Sequence, residues 1–90
     1  MEIAVIRDCK ALIEHSTLQA LQTFFDEVQQ DEDAHLIDWA YVWQKVYIHA
    51  CLKKKRDMVS WLEEQFKELD PILCIAYRHT LNYGRHILNK

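Results

Sequence analysis

The chain has 90 residues, one glycine, one proline and a formal net charge of −3 at neutral pH. Glycine and proline usually make up about 12% of a sequence, and here they are too scarce for phosphate-cradling loops, dinucleotide fingerprints or Asn-Gly hairpins. The length excludes a two-domain enzyme, and a 50% hydrophobic content excludes intrinsic disorder. What remains is one all-α domain over residues 1–90, a small bundle of about five helices, for which stacked helical hairpins are one arrangement.

A first helix is predicted over 3–14, where Val5, Ile6, Cys9, Leu12 and Ile13 recur at spacings of three and four. Ser16, with Gln19 three residues on, reads as the capping box of a second helix over 17–29. Leu18, Leu21, Phe25 and Val28 share one stripe of that helix, with Phe24 beside it. An acidic connector follows, in which Asp31 or Asp33 can cap a third helix over 34–53. One wide apolar face of this helix runs from Leu36 through Trp39, Trp43 and Tyr47 to Cys51, and a second carries Ile37, Tyr41, Ile48 and Leu52. A helix apolar on two faces is expected to be central and packed on both sides, and Asp38 offers a restart after a short break.

Lys53, Lys54, Lys55 and Arg56 interrupt the pattern, and Asp57 reads as the cap of a fourth helix over 57–69. Its buried stripe is predicted as Met58, Val59, Leu62, Phe66 and Leu69, with Trp61 alongside. Asp70-Pro71 then places an N-cap before a helix-opening proline, starting a fifth helix over 71–88. Gly84 lies on the packing side of that helix at a cost of about 1 kcal/mol relative to alanine. Either a neighbour packs closely there or the helix frays beyond it.

Charge is divided along the chain. Residues 26–38 hold six acids and no lysine or arginine, whereas residues 71–90 hold Arg78, Arg85 and Lys90 and no acid. The division suggests complementary contact within the fold or between two copies; two separately solvated faces are the simpler account. The N-terminus lacks the basic region of a signal peptide, and no apolar run approaches the ~18 residues of a membrane span. Three cysteines (Cys9, Cys51, Cys74) without CxxC spacing fit buried, reduced thiols in the cytoplasm or nucleus.

Catalytic chemistry finds little to work with. His49 and Cys51 are two apart on a helix and Cys74 and His79 five apart, so neither pair shares a stripe. The five histidines give no HxxxH, and His79/His86 and His35/Asp38 are the nearest approaches to a metal pair. No catalytic residue, metal, cofactor or small-molecule substrate is inferred.

Residues 50–62 resemble the hairpin of an ankyrin repeat. Ala50 and Cys51 stand as the small pair closing its first helix, Asp57 as the acid, Met58 and Val59 as the aliphatics, and Trp61 and Leu62 as the closing pair. Lys54 occupies the place of the family's turn glycine, and Lys45 and Val46 replace its opening Thr-Pro. The resemblance covers about residues 45–62 and implies stacked helical hairpins with a protein-binding role.

The functional expectation is a non-catalytic intracellular module that binds another protein, including a second copy of itself. Ten aromatic residues are many for so small an interior, and Trp and Tyr favour interfaces. Trp39, Trp43, Tyr47 and Trp61 are therefore the expected contact residues, with Arg78 and Arg85 meeting acids. The alternative is nucleic-acid binding through Lys53, Lys54, Lys55 and Arg56 with Arg78 and Arg85. Glu63, Glu64 and Glu68 on the helix after the turn oppose it, because phosphates repel them.

Overall fold

The computed structural model describes residues 2–68 and 71–90, with side chains at 2–65, 68 and 78–90. The helices are α1 (Glu2–His15), α2 (Leu18–Gln30), a 3-10 helix (Glu32–Leu36), α3 (Trp39–Leu52), α4 (Arg56–Glu68) and α5 (Pro71–Leu88), and no strand occurs among the described residues. The all-α bundle of five α-helices is thus observed among the described residues. The N-cap predicted at Asp70 and the side-chain contacts predicted for Phe66, Leu69 and the first turns of α5 lie outside the described residues.

Local chemistry sets most of the boundaries, in places one residue from where the sequence alone put them. Ser16 is not the cap of α2, because its N–H still bonds Leu12 C=O at 2.9 Å and closes the last turn of α1. Thr17 takes the role instead, its Oγ1 accepting the Ala20 N–H at 3.2 Å. Asp57 lies inside the first turn of α4 and accepts the Met58 N–H at 2.8 Å, where a carboxylate suits the helix dipole.

The predicted helix over 34–53 is two elements. Asp31 accepts the Asp33 N–H at 2.9 Å and opens the 3-10 helix. Asp38 then caps α3 through the Tyr41 N–H at 3.2 Å. The break is fixed from a distance: Asp38 donates its own N–H to Glu2 Oε1 at 2.8 Å, which holds the Glu2 carboxyl below its usual range. Leu36, predicted on the buried face, falls in the 3-10 helix and is exposed.

α3 is the central element. Asp38 beside Glu2 at one end, and His49 and Lys53 beside Glu14 at the other, show that α1 runs parallel to it. Gly84 lies against Tyr47 and Cys51, and Lys54 reaches the carbonyls of Ile87 and Leu88, so α5 is parallel on the other flank. α2 packs underneath against α1, and α4 against α3 and α5, with Phe25 of α2 meeting Trp43 and Trp61. The extents of 39 × 33 × 19 Å fit two helix layers, each about 10 Å deep.

Between the layers lies one core, which includes Ile6, Cys9 and Ile13 of α1, Leu21 and Phe25 of α2, and Met58, Val59 and Leu62 of α4. α3 contributes Val42, Trp43, Val46, Tyr47, Ala50 and Cys51. Cys9 and Cys51 are free buried thiols, and burial pushes the Cys9 thiol up to about 12.

The α3–α4 turn closes with Lys54 N–H on Cys51 C=O and Lys55 N–H on Ala50 C=O, both at 3.1 Å, the paired bonds of a Schellman motif. Lys54 therefore adopts a φ of 59°, a conformation that favours glycine.

Candidate interaction surface

The aromatic residues expected to meet a partner close the core instead. Trp43 stacks on Phe25 with ring centroids 4.4 Å apart and planes 1° apart. Trp61 packs against both, at 5.5 Å from Phe25 and 6.0 Å from Trp43, and Trp39 lies 6.2 Å from Phe25. These spacings match favourable ring pairs. Trp43 and Tyr47 are buried, and Trp39 and Trp61 half-buried. Trp43 and Tyr47 are therefore not available on the surface, whereas Trp39 and Trp61 remain partly exposed, so the four residues expected to form a contact do not stand together on one surface.

Tyr47 anchors a polar cluster at the inner edge of α5. Its hydroxyl donates to Glu63 Oε1 at 2.8 Å, and Arg85 holds the same carboxylate through Nε at 3.1 Å and Nη2 at 3.4 Å. Burial, with the bond to Glu63, pushes the Tyr47 phenol above its ordinary range. Arg85 thus meets an acid inside the fold, on α4 rather than in the acidic segment 26–38. Arg78 is exposed.

Two of the four cations in the α3–α4 turn are also engaged internally. Lys53 pairs with Glu14 at 3.3 Å. Lys54 Nζ donates to Ile87 C=O at 2.8 Å and Leu88 C=O at 3.0 Å, capping the negative end of α5. Lys55 is half-buried and Arg56 exposed. Among the histidines, His35 Nδ1 lies 2.9 Å from Glu32 C=O and His49 Nε2 3.1 Å from Glu14 Oε1. No group of three or more His, Cys, Asp or Glu among the described residues is placed to hold a metal ion.

Among the described residues, a broad open feature is the outer face of the α1–α3–α5 layer. Tyr41, Lys45, Ile48 and Leu52 form a stripe along α3 at i, i+4, i+7 and i+11, which by helix geometry extends about 17 Å. Between α3 and α1 the surface sinks into a groove of about 620 Å³. Its apolar part is Ile3, Ile6, Ala11 and Tyr41, and Arg7, Lys10 and Lys45 stand around it. Hollows through Ile48 and Leu52 carry the face across to Tyr83 on α5. Ile3 is 79% exposed, Tyr83 60%, Leu52 55% and Tyr41 43%.

The second apolar face read from the sequence is this stripe in part: Tyr41, Ile48 and Leu52 lie on it, whereas Ile37 precedes α3 and is buried. α1 and α5 flank α3, yet neither covers Tyr41 or Leu52, so the packing expected on both apolar faces is complete on one only. Ile3 and Tyr83 were not legible as part of it, because they come from helices whose arrangement beside α3 depends on contacts more than thirty residues apart in sequence.

Among the described residues no helix is long and apolar enough to cross a membrane. Comparison with protein-family models, with curated proteins and with solved structures finds no match for this chain.

Proposed function

We propose that the chain is a non-catalytic protein-interaction module whose partner engages the outer face of α1, α3 and α5. One observation carries this reading: large apolar side chains from three helices, Ile3, Tyr41, Leu52 and Tyr83, stand exposed on one face and are bordered by cations. A contiguous apolar patch with a polar rim is the usual mark of an interaction site. The layered helices, with Lys54 in the glycine-favouring conformation of the α3–α4 turn, also support an ankyrin-like reading of that hairpin. The nucleic-acid reading is weaker, since Lys53 and Lys54 already serve partners within the fold.

The test is affinity co-purification of the tagged chain beside two surface variants. Leu52→Glu with Tyr83→Glu changes the face, whereas Arg56→Glu changes an exposed residue outside it. A protein retained by the parent and by Arg56→Glu, and lost from the double variant, is the expected result. Identical co-purification by all three proteins refutes the proposal.

A further inference from the structure

The chemistry of this face is more specific than apolarity, and we infer that its occupant is an acidic amphipathic helix of about three turns. The inference rests on the reading above and names its partner class. The chain as a whole is acidic, with a formal charge of −3, yet Arg7, Lys10 and Lys45 line the groove against a single carboxylate, Glu14. That carboxylate is already answered from within the fold by Lys53 at 3.3 Å and His49 at 3.1 Å. Arg7 leans on Asp8 at 3.5 Å, at an exposed position where such a pair contributes little. The groove lining therefore carries an excess of positive charge; none of the acids of segment 26–38 lines it, and Asp38 stands at its end on the Tyr41 N–H.

Shape agrees with charge. An apolar stripe about three turns long, set between two parallel helices, accepts a partner helix through side chains at i, i+4 and i+7. Lys45 lies in the middle of that stripe, with Nζ 5.6 Å from the Tyr41 ring centroid. It can swing to a carboxylate at the flank of a docked helix while its alkyl stem stays over apolar surface. A basic partner would meet Arg7, Lys10 and Lys45 as like charges, which disfavours it strongly. A second copy would have to bring an acidic apolar helix of its own, and α2 turns its Leu21 and Phe25 inward.

The experiment is selection from a random 16-residue peptide display library on the intact immobilised chain, followed by titration of the enriched peptides. The expected peptides combine leucine or aromatic residues at helical spacing with Asp and Glu elsewhere. Lys10→Glu with Lys45→Glu should weaken them about tenfold or more, Lys45→Arg should retain them, and Leu52→Glu should abolish binding with the helical circular dichroism unchanged. Enriched peptides that need Leu52 but are neutral or basic overturn the inference and leave the interaction reading standing. Absence of any Leu52-dependent peptide overturns both. Sedimentation that shows a dimer dissociated by Leu52→Glu makes a second copy the occupant, and this too overturns the inference.

Discussion

A single methyl group at Gly84 tests the packing of α5 against α3. A Cβ there would lie 2.4 Å from Tyr47 Cε1, 3.1 Å from Cζ and 2.9 Å from Cys51 Sγ. Carbon–carbon contact is comfortable from about 3.5 Å, so something must yield by roughly 1 Å. The Tyr47 ring is fully buried, and its hydroxyl is held by Glu63, which Arg85 holds in turn. With the ring fixed at both ends, α5 itself has to move away from α3. Overpacking of this kind costs about 1–3 kcal/mol, and the simultaneous clash with ring and sulfur places Gly84→Ala at the upper end. Alanine returns about 1 kcal/mol of helix propensity, leaving a net destabilisation of about 2 kcal/mol. For a domain of this size that lowers Tm by roughly 8–16 °C, readable by circular dichroism and urea denaturation. In a Tyr47→Leu background the ring atoms are gone, and most of the cost should vanish as a coupling of about 1 kcal/mol or more. A Gly84→Ala protein at least as stable as the parent, the result propensity alone would give, refutes the packing account.

Lys54 combines a φ of 59° with an ammonium that caps α5, and two substitutions separate these effects. Lys54→Met keeps the backbone strain and loses the cap, so it should destabilise by about 0.5–1 kcal/mol and speed amide exchange at 85–90. Lys54→Gly loses the cap but relieves about 1 kcal/mol of strain and should be near neutral; equal losses from both would contradict the assignment. Tyr47→Phe removes the hydrogen bond to Glu63, a bond to a charged group, and should cost about 1.5 kcal/mol in urea denaturation, with a value near zero counting against a formed bond. Acid should weaken the fold from below neutrality. Burial holds the His49 pKa under its ordinary 6.5, against the raising effect of Glu14 and with help from Lys10 and Lys53. The unfolded chain therefore binds more protons below that pH, and stability falls as pH drops through 6.5. Glu14, held under its ordinary 4.5 chiefly by Lys53, adds a second loss as pH falls through 4.5 and below. His49→Gln should flatten the stability profile just below pH 6.5, and a parent protein that gains stability on acidification would contradict the sign.

The helices with one apolar face were legible in the sequence. The stripes of α1 and α2 are buried or packed against the core as their periodicity implied, because a single stripe leaves only one way to turn. The start of α3 was legible only as alternatives, among them the restart at Asp38 that the structure adopts. Asp31, Asp33 and Asp38 are all competent caps, and Leu36 and Ile37 continue the apolar pattern through the break. Asp38 is fixed by a bond to Glu2, 36 residues away, beyond the reach of any local pattern. The inward and outward aromatics of α3 were indistinguishable for a related reason. Periodicity assigned Trp43 and Tyr41 to different faces, but which face met the second layer depended on Phe25 and Trp61. Composition registered an excess of rings; packing decided that the tryptophans would fill the core.

That decision explains why the open surface carries mixed chemistry. α3 has neighbours on either side in its own layer and α2 and α4 beneath, so its outer flank is the side most open to solvent among the described residues, and that flank is apolar as well. An uninterrupted apolar stripe there would invite nonspecific association. Lys45 interrupts it, and in the free protein its ammonium lies over the Tyr41 ring, keeping charge at the centre of the stripe. A partner that displaces this arrangement must offer the ammonium something better than the ring, which a carboxylate does and a neutral or basic helix does not. The same lysine therefore shields the face when it is empty and selects for acid when it is filled.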